Sequence, residues 1–472
     1  MTNPRRLVAA TLLLAALATS APAADRPPNV ILIVADDLAV GDLHMGDDKP
    51  NCAPNLAKFA AESVRFENAY SGSPVCAPAR AALLTGRYPH RTGTVTLDTA
   101  RYPERVRLFP RERTAGDHFR AADFTTGLIG KWHLGRTPDH MPHSRGFDHT
   151  AVFLAISDDY FKYRWNLDGE KQPGDGQYLS VALNQRAIRF VRKHREKPFF
   201  LHLAHFAPHR PLSAYKKIIQ TYLDRGYDEN TATIYAMIQQ MDQGLGRLFD
   251  TLDELDIADD TIVIFTSDNG PDPLTGERYN GDLRGTKYMI NEGGIRVPFF
   301  VRYPRRVTPG TRRSPVHFVD VLPTLMDLCD VAAVPDAPPM DGESFADVLT
   351  ADADDFSPPR YWQWNRVSPD YAHNAALRDG DLKLIRPFVT RNKIKPSEQP
   401  LPPRLYDLSS DPGEEHDLAP EQPDRVAEMN ARLSDWSESV ESDRQQGIAT
   451  DPTPKPKKRK GKKSKPSGKK AA

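Results

Sequence analysis

Two pairs of hard oxygen donors stand far apart in the chain, Asp36-Asp37 and Asp268-Asn269. Adjacent Asp residues inside a strand point to opposite faces, so both reach one ion only where the chain turns. With no Cys or His at zinc-like spacing, oxygen donors of this kind suit Ca2+ or Mg2+. Cys76 opens the run Cys76-Ala-Pro78-Ala-Arg80, which continues to Gly86 and Arg87. Pro78 fits a first helical turn and Gly86 a C-cap, and the residues between them are good helix formers. Cys76 therefore lies at a helix N-terminus, where the dipole favours an anion, with Arg80 one turn on along the same face. Lys131 and His133 are two apart and share a face in an extended segment. Taken singly, an Asp pair is more often a turn and a Cys more often a core residue.

What joins these residues is the strand before each of them. Asn29 to Ala35 (NVILIVA) is a continuous β-branched run, as expected of a strand buried on both faces. Thr125 to Ile129, Phe199 to Leu203 and Thr261 to Thr266 have the same character. The four runs lead into Asp36-Asp37, into Lys131 and His133, into His209, and into Asp268-Asn269. Sites in open α/β sheets lie beyond the C-terminal ends of the strands, so four such endings make a site. Helices are expected at Pro54 to Ser63, around Ala81 to Leu84, and at Tyr178 to His194, Thr231 to Asp253 and Val319 to Leu328. The fold class is α/β, with a large, mostly parallel central sheet flanked by helices. Past residue 360 a hairpin from Ala375 to Leu384 turning at Asp379-Gly380, a strand at Arg404 to Leu408 and a helix from Asp424 to Val440 form a small C-terminal subdomain.

The chain has 472 residues, 39% of them hydrophobic and 27% charged, enough apolar material for a sizeable core. Its 42 prolines argue against a coiled coil or long helical bundle. The first 23 residues are a secretion signal: Arg5-Arg6, then an apolar run from Leu7 to Ala18 too short to span a bilayer, then Ala21-Pro22-Ala23 as cleavage site. Export to the periplasm or the exterior follows, with no transmembrane segment after signal removal. The formal net charge is zero, but residues 452–472 hold ten Lys or Arg and no acid. This tail is expected to be disordered, with polyanion contact as a possible use; nucleic acid is not expected of an exported chain. Three cysteines, Cys52, Cys76 and Cys329, do not make a disulfide scaffold.

Cys76-Ala-Pro78-Ala-Arg80 with Leu83-Leu-Thr85-Gly86-Arg87 resembles the signature of the formylglycine-dependent (type I) sulfatases, of the alkaline phosphatase superfamily. So do Asp36-Asp37-Leu38 with Gly41-Asp42, Pro54-Asn55-Leu56, Gly130-Lys131-Trp132-His133-Leu134-Gly135 and Ala207-Pro208-His209. Ser267-Asp268-Asn269-Gly270, Arg284-Gly285-Thr286-Lys287, Glu292 to Pro298 and Leu405 to Glu414 complete the set. Position 79 is Ala where Ser is commoner, and His44 to Ala53 departs from the family wording.

The resemblance implies an alkaline-phosphatase-like sheet and a secreted bacterial-type arylsulfatase or glycan sulfatase. It implies that a maturation enzyme oxidises Cys76 to formylglycine, which hydrates to a geminal diol. A divalent cation, Ca2+ ahead of Mg2+, is to be held by Asp36, Asp37, Asp268, Asn269 and position 76. Arg80 is to orient the diol, Lys131 and Lys287 to hold sulfate oxygens, His209 to protonate the leaving alcohol or lie beside it, and His133 to contact the diol and take the proton of its second hydroxyl. The substrate is to be a sulfated carbohydrate. Two other readings stay open: a phosphonate or phosphate diester hydrolase of the same superfamily, and a glycan-binding pseudoenzyme in which Cys76 remains a thiol. The expected division is signal 1–23, catalytic domain 24–360, C-terminal subdomain 361–446 and basic tail 447–472.

Overall fold

The structure is a computed structural model describing residues 26–43, 51–98, 101–153, 159–276, 278, 280–351, 354–392 and 394–451. The signal segment, residues 44–50 of the divergent loop and the basic run 452–472 lie outside the described residues. At the centre four strands run parallel side by side: Thr261–Ser267, Asn29–Ala35, Phe199–Ala204 and Thr125–Lys131. These are the four apolar runs seen in the sequence. Asn29–Ala35 is buried at every position because both faces of the sheet are covered. Val30, Leu32 and Val34 point into one core with Phe119, Phe200 and Leu322. Ile31, Ile33 and Ala35 point into the other with Phe59, Met241 and Leu245. The alternation is the period of two that a strand imposes, here with an apolar layer on each side.

The sheet widens to ten strands. His149–Phe153 adds in parallel to Thr125–Lys131, and the hairpin Arg164–Leu167 with Glu170–Pro173 closes that side antiparallel. On the other side Phe299–Arg302 runs antiparallel to Thr261–Ser267, followed outward by Val64–Phe66 and Gly310–Arg312. The outer strands escape a reading for apolar runs: Glu170–Pro173 is exposed throughout and Val64–Phe66 has three residues.

The expected helices form at Pro54–Ala61, Cys76–Thr85, Leu179–His194, Glu229–Glu254 and Phe318–Leu328. Asp228 caps the longest, its carboxylate accepting the N–H groups of Asn230 and Thr231. Gly86 ends the Cys76 helix with a left-handed φ of 67°.

A four-stranded antiparallel sheet, Arg360–Gln363, Ala375–Asp379, Leu382–Arg386 and Arg404–Asp407, forms the C-terminal subdomain. The last helix, Pro423–Thr450, runs past the Val440 end and the 446/447 boundary expected from sequence. Its final turns are fastened to the segment 87–111. Asp443 accepts Arg87 at 2.7 Å and Arg111 at 2.5 Å, and Asp451 pairs with Arg107 at 2.6 Å. Gly447 lies so near Phe109 that a Cβ there would meet the ring at 2.3 Å. Hydrophobic patterning ends where the helix leaves the apolar core, and charge pairing carries it further.

Several histidines are sealed inside. Burial depresses His90 from 6.5 to about 4, and His202 and His205 to about 3. Each is neutral when folded but takes a proton on unfolding below pH 6.5. Their contribution to stability is therefore present above pH 6.5 and is lost as pH falls towards 4. Thermal melts from pH 7.5 to 4.5 should show a falling melting temperature over about this window; a flat profile would contradict it.

Candidate active site

The four central strands end on one edge of the sheet, and there the two donor pairs meet. The Asp268 backbone N–H donates to the Ala35 carbonyl at 3.1 Å, and that of Asp36 to Ala207 at 3.1 Å. Asp37 takes a left-handed φ of 62°, the turn that lets adjacent aspartates face one point. Its N–H donates to Asp268 Oδ1 at 3.2 Å. Asn269 Nδ2 donates to Asp37 Oδ1 at 2.7 Å, while Asn269 Oδ1 is buried with no donor among the described residues.

Three cations answer the three carboxylates, all of them buried. Arg80 donates Nε and Nη2 to Asp268 Oδ2 at 3.0 and 2.7 Å. Lys131 Nζ lies 2.5 Å from Asp36 Oδ2, and Lys287 Nζ lies 2.6 and 2.8 Å from the two oxygens of Asp37. Gly130, at φ 116°, brings Lys131 in: a Cβ there would overlap the Ala204 carbonyl at 1.8 Å.

Cys76 Sγ stands among them, 3.4 Å from Asp36 Oδ1 and 3.9 Å from Asp37 Oδ1. Burial, then the nearby Asp268, pushes its thiol well above the ordinary range. Cys76 is thereby held as the protonated thiol.

The two site histidines are neutral. His133, in a left-handed turn at φ 60°, holds the Leu97 carbonyl at 2.8 Å through Nε2. A carbonyl only accepts, so Nε2 carries the proton, and the buried Nδ1, without a partner among the described residues, is a bare lone pair. Burial, then Lys131, holds its pKa well below 6.5. His209 Nδ1 likewise donates to the Arg210 carbonyl at 2.5 Å, leaving Nε2 bare and 3.6 Å from Asp37 Oδ2. Burial pulls His209 down to about 3. His205 packs, its Nε2 on Asn184 Oδ1 at 3.2 Å.

Two residues that shape the site went unread. Arg278 donates to both oxygens of Asp42, at 2.7 and 2.9 Å, and to the Asp37 carbonyl at 3.0 Å, fixing the turn that aims the aspartates. Asp42 belongs to a motif visible in the sequence, whereas Arg278 sits in a loop without pattern. Asn374, in the C-terminal subdomain, donates to the Tyr288 carbonyl at 2.9 Å and accepts the Ile290 N–H at 3.2 Å, so the segment carrying Lys287 is held from the second sheet.

The donor set fits a hard divalent cation. One ligand atom each from Asp36, Asp37, Cys76 and His209 lies within 4.8 Å of the others. The orphaned Asn269 oxygen gains a partner if an ion is held there. Burial and the nearby Asp268 push Asp36 up to about 7 against the pull of Lys131 and Arg80.

Comparison with known proteins gives the following. The family model described as Sulfatase matches residues 28–331, and the one described as N-sulphoglucosamine sulphohydrolase, C-terminal, matches residues 285–440. The chain is 27% identical over 499 residues to an N-acetylgalactosamine-6-O-sulfatase of Bacteroides thetaiotaomicron, covering 86% of this chain and 92% of that one. It is 30% identical over 445 residues to human arylsulfatase A, covering 83% of each. With human N-acetylgalactosamine-6-sulfatase it is 32% identical over 315 residues, a match spanning 59% of that protein. Among solved structures it resembles Ps i-CgsB in complex with k-i-k-neocarrahexaose, with TM-score 0.78, 29% identity and 89% of this chain covered against 94% of that one.

Proposed function

From the premise that this chain belongs to the sulfatase family and is a sulfuric ester hydrolase, we propose that it removes sulfate from a sugar of a sulfated glycan. In this reading Cys76 is converted to formylglycine, and Asp36, Asp37, Asp268 and Asn269 hold a divalent cation, Ca2+ by donor type. The observation that carries it is the position of Cys76, buried 3.4 Å from Asp36 and 3.9 Å from Asp37, the two carboxylates that Lys131 and Lys287 pair with. The sugar reading is supported by the sulfatase names of the relatives and by the oligosaccharide in Ps i-CgsB. Export belongs to the same reading and rests on residues 1–23; among the described residues no helix is long and apolar enough to cross a membrane.

Oxidised and hydrated, position 76 offers two hydroxyls on one carbon, one to attack sulfur and one whose deprotonation lets sulfate leave. The cation, when bound, lowers the pKa of the attacking hydroxyl and offsets sulfate charge. The rest falls to side chains. Each lysine ammonium has three protons, of which Asp36 or Asp37 takes one or two, and the remainder face sulfate oxygens. Arg80, locked on Asp268, keeps its fork fixed beneath the nucleophile. The bare Nδ1 of His133 is the base for the second hydroxyl.

Release of free sulfate from a panel of sulfated mono- and oligosaccharides, with aryl sulfate and phosphonate esters alongside, tests the reading. Sulfate release with little phosphonate turnover is expected. Faster phosphonate turnover, or no release from any ester, would contradict it. His133→Ala should separate the two halves of the reaction: a burst of alcohol followed by sulfate release slowed by about 100-fold or more. Unaltered steady-state release would remove His133 from the role.

A further inference from the structure

The rim of the site carries a cation that the reaction described above does not use. Lys287 is followed by Tyr288, a non-glycine residue at φ 84°, a strained conformation that persists only where its surroundings hold it. The Asn374 amide grips its carbonyl, and Trp364 packs on its ring at 5.6 Å between centroids. The Lys287 ammonium lies 6.0 Å from the centre of that ring and the Arg391 guanidinium carbon 4.3 Å from it. The two charges are therefore no more than about 10 Å apart. Arg391 belongs to the second sheet's loops and is held through its backbone: its carbonyl accepts the Arg366 N–H at 2.7 Å, and the next carbonyl, of Asn392, accepts Asn365 Nδ2 at 3.3 Å.

Among the described residues no carboxylate pairs with the Arg391 guanidinium, whereas the neighbouring Arg210 is committed to Asp272 at 2.8 Å. A guanidinium placed over an aromatic face can still offer its edge donors to a planar or tetrahedral oxyanion. We propose that Arg391, stacked on Tyr288, is a specificity subsite for a second anionic substituent, a carboxylate or a further sulfate, on the sugar whose sulfate ester sits at Lys131 and Lys287. This rests on the sulfatase reading and narrows it to polyanionic glycans.

The test compares three sugars: one bearing a single sulfate and no other charge, its disulfated counterpart, and a sulfated disaccharide containing a uronic acid. Arg391→Ala should lower the preference for polyanionic over singly charged sugar, as a ratio of kcat/KM, by about 10- to 100-fold, chiefly through KM. Arg391→Lys, which keeps charge but not the flat fork, should recover part of it. Loss confined to the disulfated or to the uronate substrate tells sulfate from carboxylate recognition. An unchanged ratio, including an equal loss on all three sugars, would overturn the proposal. Calorimetric binding of the same sugars to the Cys76→Ala protein, with and without Arg391→Ala, reads the same ratio without turnover. Failure of the sulfatase reading, an absence of sulfate release by the wild type, is thereby distinguished from failure of the subsite.

Discussion

Cys76→Ser is expected to yield a protein that turns over at most once. The serine hydroxyl would occupy the place where Sγ now lies 3.4 Å from Asp36 and 3.9 Å from Asp37, among the same lysines. It could accept a sulfuryl group, with the alcohol leaving. A hydrated aldehyde has a second hydroxyl on the same carbon, whose proton can be removed to expel sulfate; serine has none. Release would then wait for water to attack the sulfated serine, and steady-state kcat should fall by about a thousand-fold or more. Intact-mass measurement should find one added sulfuryl group per chain. Sustained turnover by this variant would contradict the mechanism.

The second large effect concerns the cation and its ligands. Exhaustive chelation should abolish turnover, and Ca2+ should restore it. Asp268→Ala should be inactive but is a blunt test, because Asp268 also takes two hydrogen bonds from the fully buried Arg80. Removing one partner of a buried ion pair costs about 3–5 kcal/mol, so this variant should be destabilised as well as inactive. Asn269→Ala is cleaner: it removes the orphaned oxygen and leaves every ion pair intact. Saturating Ca2+ should raise the melting temperature of the chelated wild type, by an amount equivalent to about 2.7 kcal/mol at a hundred times Kd. The rise should shrink or vanish in Asn269→Ala. Full activity after chelation would remove the cation from the account.

The strands that carry the site were legible because they are buried on both faces. Continuous runs such as Asn29–Ala35 and Thr261–Ser267 have no other stable place in an α/β fold, and the residues after them fall on one edge. The Asp36-Asp37 pair demanded a turn, and the left-handed Asp37 provides it. Less could be read where tertiary partners decide. Glu170–Pro173 is a strand only because Arg164–Leu167 pairs with it. The last helix continues to Thr450 because Arg87, Arg107 and Arg111, distant in sequence, wait for its acids. What the helix N-terminus could not show is how deeply Cys76 is buried, which with Asp268 and Asp36 pushes its thiol well above the ordinary range. The Nδ1 contact of His209 to the Arg210 carbonyl, which orients its Nε2 towards Asp37, is a feature that no spacing encodes. Arg391 and Tyr288 are about a hundred residues apart in sequence, and only the second sheet brings the guanidinium onto the ring.

The account stands on what position 76 becomes. Protein purified from cells that contain a formylglycine-generating enzyme should be digested, and the peptide ending at Arg80 weighed. An aldehyde in place of the thiol, with sulfur and two hydrogens lost and one oxygen gained, is the predicted result, its fraction rising in step with sulfate released per chain. A fully active preparation whose peptide carries an intact Cys76 thiol would contradict it.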